Sequence, residues 1–115
     1  MDYHVPAAKT MKEPLSHTLL RKHLDELGLA YETEVRFMPK RKFRWDFVLL
    51  GSYKVAIEIM GSTWSAGRHT RGKGYQSDCE KANYGTMLRW RLLRFTTEDI
   101  MKGRAKEFLR KFLEG

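Results

Sequence analysis

The chain has 115 residues, of which 42% are hydrophobic and 31% charged, a composition typical of one compact globular domain and not of a disordered segment. Its 22 Lys and Arg residues outnumber 14 Asp and Glu residues, and the net charge of +8 points to a polyanionic partner, most simply nucleic acid. No apolar run approaches the roughly 20 residues of a membrane-spanning helix, and the single cysteine, Cys79, excludes an internal disulfide.

Residues 1–14 contain two prolines and no regular period, so they are predicted to form an arm ahead of a single domain at 15–115. They lack the continuous apolar stretch of a secretory signal, which together with the lone cysteine predicts a reducing, cytoplasmic setting. Leucines at 15, 19, 20, 24 and 27 follow a helical spacing, and Gly28 stands where a C-cap glycine belongs. The first helix is therefore predicted at about 15–27.

Three strand-like runs follow at 31–37, 43–50 and 53–60, with a basic turn at 38–42 between the first two. The glycine-rich stretch at 61–75 is predicted to be a loop that is either functional or disordered. A second helix is predicted at 76–87, a short strand at 90–95, and a last helical region that is capped by Thr96 or Thr97 and interrupted at Gly103. The order αβββαβα predicts an α/β fold whose mixed sheet is covered by helices on both faces.

Three acidic residues lie within predicted strands, where carboxylates are uncommon: Glu34, Asp46 and Glu58. An ionised carboxylate among apolar neighbours is costly unless it is paired or bound to a metal. Because the second and third strands are joined by a tight turn, Asp46 and Glu58 are expected to approach each other, and Mg²⁺ or Mn²⁺ would offset their repulsion. The competing interpretation is that each acid simply pairs with a nearby arginine.

Basic and aromatic residues accompany these acids at two places in the chain. Glycines in the 61–75 loop would let its cations approach a phosphate closely. His69 is a candidate to hold that phosphate, the alternative being a solvated side chain, and Trp64 is a candidate to stack on a base. The candidates for nucleic-acid contact are Arg36, Lys40, Arg41, Lys42 and Arg44 around the first turn, and Trp64, Arg68, His69, Arg71, Lys73 and Gln76 in and after the loop.

Three stretches resemble the PD-(D/E)XK nuclease superfamily, which has the restriction-endonuclease-like fold: FRWDFVLL at 43–50, VAIEIMGSTWSAGRHTRGKGYQSDCEKAN at 55–83, and MLRWRLLRFT at 87–96. They are most similar to a compact branch found in phage and bacterial genomes, related to very-short-patch repair endonucleases and VRR-type nucleases. The resemblance spans about residues 15–96. It implies an αβββαβ core with a mixed central sheet, flanking helices and an extra C-terminal helix, in a bacterial or phage-infected cell.

The resemblance also implies a function, namely Mg²⁺-dependent (or Mn²⁺-dependent) hydrolysis of phosphodiester bonds in DNA. Branched, nicked or mismatched DNA and specific duplex sites are the alternative substrates, and a homodimer is expected by analogy with nucleases that cut both strands. The implied metal ligands are Asp46, Glu58, the backbone carbonyl of Ile59, and Glu34. The other implied catalytic residues are His69, which with Arg68 would hold the phosphate, and Lys81, which with Lys73 or Gln76 would orient the attacking water.

One position departs from the family pattern. The third motif residue, lysine in the usual form and acidic in this branch, is Met60, which neither takes a proton nor binds Mg²⁺ well. Losing a general base typically costs roughly 10²–10⁴-fold in rate, so an endonuclease is the leading prediction. The alternative is a catalytically impaired nucleic-acid-binding module of the same fold. A third interpretation, a basic protein with no nucleic-acid role, predicts no salt-dependent affinity for DNA.

Overall fold

A computed structural model describes residues 13–51, 53–61 and 73–115. Its elements are α1 (Leu15–Glu26), β1 (Tyr31–Arg36), β2 (Arg44–Leu49), β3 (Val55–Met60), α2 (Lys73–Met87), β4 (Arg91–Thr96), α3 (Thr97–Met101) and α4 (Arg104–Glu114). The predicted order of elements is confirmed, and the largest shift is at α2, which begins at Lys73 instead of residue 76. Almost all of the predicted arm at 1–14 lies outside the described residues.

The helix ends follow local signals in the sequence. Gly28, just after α1, has a φ of 74°, and Gly103, between α3 and α4, has a φ of 80°, a region that favours glycine because it has no Cβ. Thr96 caps α3: its hydroxyl accepts the Asp99 N–H at 3.0 Å, while the Asp99 carboxylate accepts the Thr96 N–H at 3.0 Å. The predicted threonine cap and the predicted break are both confirmed.

Four strands form one mixed sheet in the order β1-β2-β3-β4. Strand β2 runs antiparallel to both of its neighbours, whereas β4 runs parallel to β3. Parallel neighbours need a long crossover connection, and the segment that contains α2 provides it. The predicted mixed sheet is therefore confirmed.

Helices cover both faces of this sheet, as predicted. The larger core lies between one face and helices α1, α3 and α4, and its fully buried members include Leu20, Ile57, Ile100 and Leu109. The smaller core lies on the other face, under α2, and is centred on Trp45. Within the described ranges, no helix combines the length and the apolar character that crossing a bilayer requires.

Candidate active site

Two carboxylates bridge β2 and β3 where the backbone pairing of these strands stops. The last backbone pair toward this end is Phe47 with Ile57. Beyond it, the backbone N–H of Asp46 donates to Glu58 Oε2 at 3.1 Å, and the backbone N–H of Ile59 donates to Asp46 Oδ2 at 2.8 Å. Each acid thus accepts from the opposite strand in place of a backbone carbonyl. The predicted approach of Asp46 and Glu58 is confirmed, and their catalytic role stays a prediction.

Both of the first two strands are irregular beside this bridge. In β2, Phe47 packs in the larger core, yet Trp45, two residues earlier, packs in the smaller core on the other face. Residues two apart in a regular strand share a face, so the alternation of β2 breaks around Asp46. Opposite this point in β1, Glu34 has a φ of 53°, a left-handed conformation that costs roughly 1–2 kcal/mol for a residue with a Cβ.

The burial of Trp45 offsets this distortion. Its ring stacks on Phe37 with centroids 4.0 Å apart, and its side chain is completely buried. Burying about 200 Å² of aromatic surface stabilises the fold by roughly 5 kcal/mol. Among the residues that the structure describes, its buried indole Nε1 has no hydrogen-bond partner, at a cost of about 1–3 kcal/mol. The gain from burying Trp45 exceeds these two costs, and the bridging carboxylates lie beside this irregular part of β2.

Lys81 reaches the carboxylate pair from helix α2. Its Nζ lies 2.8 Å from Glu58 Oε1 and 5.0 Å from the centroid of the Trp45 ring. Only 16% of the Lys81 side chain and 12% of the Glu58 side chain are exposed. Because Glu58 Oε2 also accepts the Asp46 N–H, donors from two different elements hold this carboxylate in place.

The electrostatics of the pair favour a cation. Burial raises the pKa of Glu58, and the negative charge of Asp46 acts in the same direction, against the lowering effect of the hydrogen bond from Lys81. A divalent cation would relieve this excess of negative charge, and Mg²⁺ is commonly held by one or two carboxylates plus phosphate oxygens. The donor set therefore fits Mg²⁺ or Mn²⁺. Across the described ranges, however, no group of three or more His, Cys, Asp or Glu side chains is arranged to hold a metal.

The two other expected metal ligands differ in where they lie. The carboxylate of Glu34 is exposed and lies 3.8 Å from Arg44 Nη1, and its predicted role as an outer ligand stays a prediction. The exposed carboxylate of Glu34 stays hydrated beside the Arg44 guanidinium. This contact matches the alternative interpretation that each acid pairs with a nearby arginine. Ile59 lies beside the pair, but it is its N–H that contacts Asp46, and a role for its carbonyl stays a prediction.

Two arginines of the basic turn, residues 38–42 with the flanking Arg36, build the turn itself. Arg36 Nη2 donates to the backbone carbonyls of Pro39 and Arg41 at 3.2 and 3.0 Å. Arg41 Nη2 donates to Glu80 Oε1 of α2 at 2.8 Å, and its guanidinium lies 4.3 Å from the centroid of the Phe43 ring. Each of these guanidinium groups thus has partners within the fold, and the nucleic-acid contacts predicted for Arg36 and Arg41 stay predictions.

The remaining candidates separate by location. Four candidates for nucleic-acid contact are described by the structure and exposed to solvent: Lys40, Lys42, Arg44 and Gln76. Four lie outside the described residues: Trp64, Arg68, His69 and Arg71. Lys73 is the first residue of α2, and Met60 is partly buried at the end of β3. The nucleic-acid roles of this set stay predictions.

Two residues of α2 that shape the site had no assigned role in the sequence. Glu80 anchors the basic turn, but its partner Arg41 is 39 positions away, so no local signal reveals the pair. At Gly85, a Cβ would lie 2.8 Å from Trp45 Cζ2 and Cη2, so only glycine lets α2 approach this ring. A glycine inside a helix destabilises that helix by about 1 kcal/mol relative to alanine. The presence of Gly85 within a predicted helix was therefore the one sequence signal that another group packs closely there.

Comparisons with known proteins identify a shared fold. No family model matches the chain, and neither does any curated protein. Among solved structures, the catalytic domain of the homing endonuclease I-Bth0305I superposes with a TM-score of 0.65 at 22% sequence identity. The match covers 84% of this chain and 91% of that domain. The chain therefore has the α/β fold of that domain, a four-stranded mixed sheet flanked by helices.

Proposed function

We propose that this protein is a metal-dependent endonuclease of the PD-(D/E)XK type that hydrolyses phosphodiester bonds in DNA. The observation that carries the proposal is the carboxylate bridge between β2 and β3, with Lys81 at 2.8 Å from Glu58. The net charge of +8 suits a polyanionic substrate. The fold shared with a homing endonuclease catalytic domain, despite 22% identity, adds support of a more general kind.

In this proposal Asp46 and Glu58 would hold Mg²⁺, which when bound would polarise a phosphoryl oxygen and lower the pKa of a water. The backbone N–H groups of Asp46 and Ile59 hold the two carboxylates in place before substrate binds. Lys81 has three N–H groups and spends one on Glu58, which leaves two to orient water or to neutralise charge on the phosphate. In the hydrolysis itself, a water oxygen bonds to phosphorus, one ester P–O bond breaks, and the water proton passes to solvent or to the leaving oxygen.

The position of Lys81 also explains how a nuclease of this type could function with a methionine at position 60. The proposed cation comes from α2 and not from the strand position two residues after Glu58, so Met60 need not titrate or bind metal. This arrangement favours an active enzyme over the impaired binding module. The precise branch of the superfamily, the preferred DNA structure and dimerisation belong to this proposal as expectations.

The test is cleavage of plasmid and branched DNA with Mg²⁺ or Mn²⁺ by the parent protein and by the variants Asp46→Asn and Glu58→Gln. We expect the parent to cut and both variants to lose at least about 100-fold in rate while still binding DNA. Asp25→Asn and Glu107→Gln, at exposed positions on α1 and α4, are the matched controls and should cut like the parent. Binding without cleavage by the parent would instead identify a non-catalytic binding module.

A further inference from the structure

Two consecutive residues of α2 connect the basic turn to the carboxylate pair. Glu80 Oε1 lies 2.8 Å from Arg41 Nη2 in the turn, and Lys81 Nζ lies 2.8 Å from Glu58 Oε1 in the pair. Consecutive Cα atoms are about 3.8 Å apart. One turn of a helix thus holds the basic turn at a set distance from the proposed catalytic centre.

The basic turn is also braced from within. The Arg41 N–H donates to the Met38 carbonyl at 3.3 Å, with Pro39 at the second position, where proline suits a turn. The guanidinium of Arg41 lies 5.4 Å from the centroid of the Tyr84 ring on α2. These contacts occupy Arg41 and leave the lysines on either side of it, at positions 40 and 42, exposed to solvent.

The exposed lysines have no competing partner nearby in the part of the chain that is described. Neither Lys40 nor Lys42 takes part in an ion pair there, whereas Arg41, between them, is paired with Glu80. A lysine ammonium is a compact charge on a flexible side chain, so it can approach a phosphate oxygen from many directions. A rigid turn that presents two such charges therefore suits a nucleic-acid backbone.

We propose that the basic turn is a phosphate-binding arm for duplex DNA, with Lys40 and Lys42 as the contact residues. Arg41, held by Glu80, is a positioning residue that keeps the arm at its distance from the carboxylate pair. Because Glu80 and Lys81 are adjacent in α2, the arm would engage the DNA backbone that flanks the bond that is cut. This inference rests on the proposed function and adds where the flanking DNA binds.

The first test measures duplex DNA affinity by fluorescence anisotropy over a series of salt concentrations, in an Asp46→Asn background that prevents cleavage. We expect the double variant Lys40→Gln/Lys42→Gln to bind at least about 10-fold more weakly, with the slope of log K against log salt reduced by about 1.8. The matched control, Lys22→Gln/Lys111→Gln, removes the same charge from α1 and α4 on the opposite face of the sheet and should retain the parent slope. Parent affinity and slope for the first variant would overturn the inference.

The second test measures the DNA affinity of Glu80→Gln, for which two explanations predict changes in opposite directions. General attraction predicts tighter DNA binding, because the variant has one more net positive charge. A positioned arm predicts weaker binding, because Arg41 then has only a neutral amide oxygen in place of the carboxylate that orients the turn. Binding as tight as or tighter than that of the parent would refute the positioning role of Glu80. These readouts are of binding alone, so they are distinct from the proposed function, which fails if the parent does not cut with Mg²⁺ or Mn²⁺.

Discussion

Lys81 on helix α2 donates to Glu58 on strand β3 across 2.8 Å, so the cation beside the acidic pair comes from a helix that follows the strand by more than ten residues. The largely buried setting of both side chains strengthens the interaction beyond that of a surface ion pair. The pair also couples the position of α2 to the geometry of the carboxylates, since the same lysine lies over the Trp45 ring on which α2 packs.

The variant Lys81→Met is expected to lower the rate of DNA cleavage by about 10²–10⁴-fold while changing DNA affinity by less than about threefold. The reason is that Lys81 would act on the attacking water or the phosphate, whereas binding depends on other cations. Single-turnover cleavage and anisotropy on the same duplex separate the two effects. Lys102→Met, at an exposed ion pair with Glu98, is the control and should behave as the parent. Parent-like cleavage by Lys81→Met would remove Lys81 from the catalytic machinery.

Divalent cations should stabilise the folded protein through the carboxylate pair. A ligand that binds only the folded state adds about 2.7 kcal/mol at a concentration 100 times its Kd, so Mg²⁺ or Mn²⁺ should raise the melting temperature of the parent. The variant Asp46→Asn should lose this increase, because it removes one of the two carboxylates. Asp25→Asn, on the surface of α1, should keep it. Equal stabilisation of both variants would place the cation elsewhere.

The raised pKa of Glu58 predicts how stability depends on pH in the presence of a chelator. In the folded state Glu58 binds a proton more tightly than in the unfolded chain, so its contribution to stability falls as pH rises from about 4.3 through the raised value. The melting temperature of the parent minus that of Glu58→Gln should therefore be larger at low pH than at neutral pH.

Glu80 offers a control of opposite sign, because the hydrogen bond from Arg41 lowers its pKa. Its contribution to stability is present above about pH 4.3 and is lost as pH falls through the lowered value. The difference between the parent and Glu80→Gln should accordingly shrink toward low pH. The same trend for both variants would contradict the assignment of burial as the main cause of the shift at Glu58.

Gly85→Ala should destabilise the fold although alanine is the better helix former. The new methyl would lie 2.8 Å from two atoms of the fully buried Trp45 ring, and relieving such overpacking typically costs about 1–3 kcal/mol. Urea denaturation measures the change, and Thr86→Ala, an exposed neighbour on the same helix, should be neutral or slightly stabilising. A Gly85→Ala protein more stable than the parent would show that α2 can move away from Trp45.

Much of the fold could be predicted because its signals are local. The leucine spacing of α1, the Thr96 cap and the break at Gly103 each depend on residues within one or two helical turns. The acids in β2 and β3 could also be identified, since a carboxylate within an apolar strand is unusual at any register. The left-handed conformation of Glu34 could not be predicted in this way, because an alternating pattern does not reveal a left-handed residue in a strand.

The sequence by itself determined the order of helices and strands, the excess of positive charge, and the two strands that present Asp46 and Glu58. Only the tertiary structure decided that these acids bridge a gap between the strands, that Lys81 joins them, and that Arg41 serves the turn through Glu80. Those contacts link residues 12 to 39 positions apart. Their formation depends on strand register and on the packing of α2 against Trp45, which no local pattern of residues encodes.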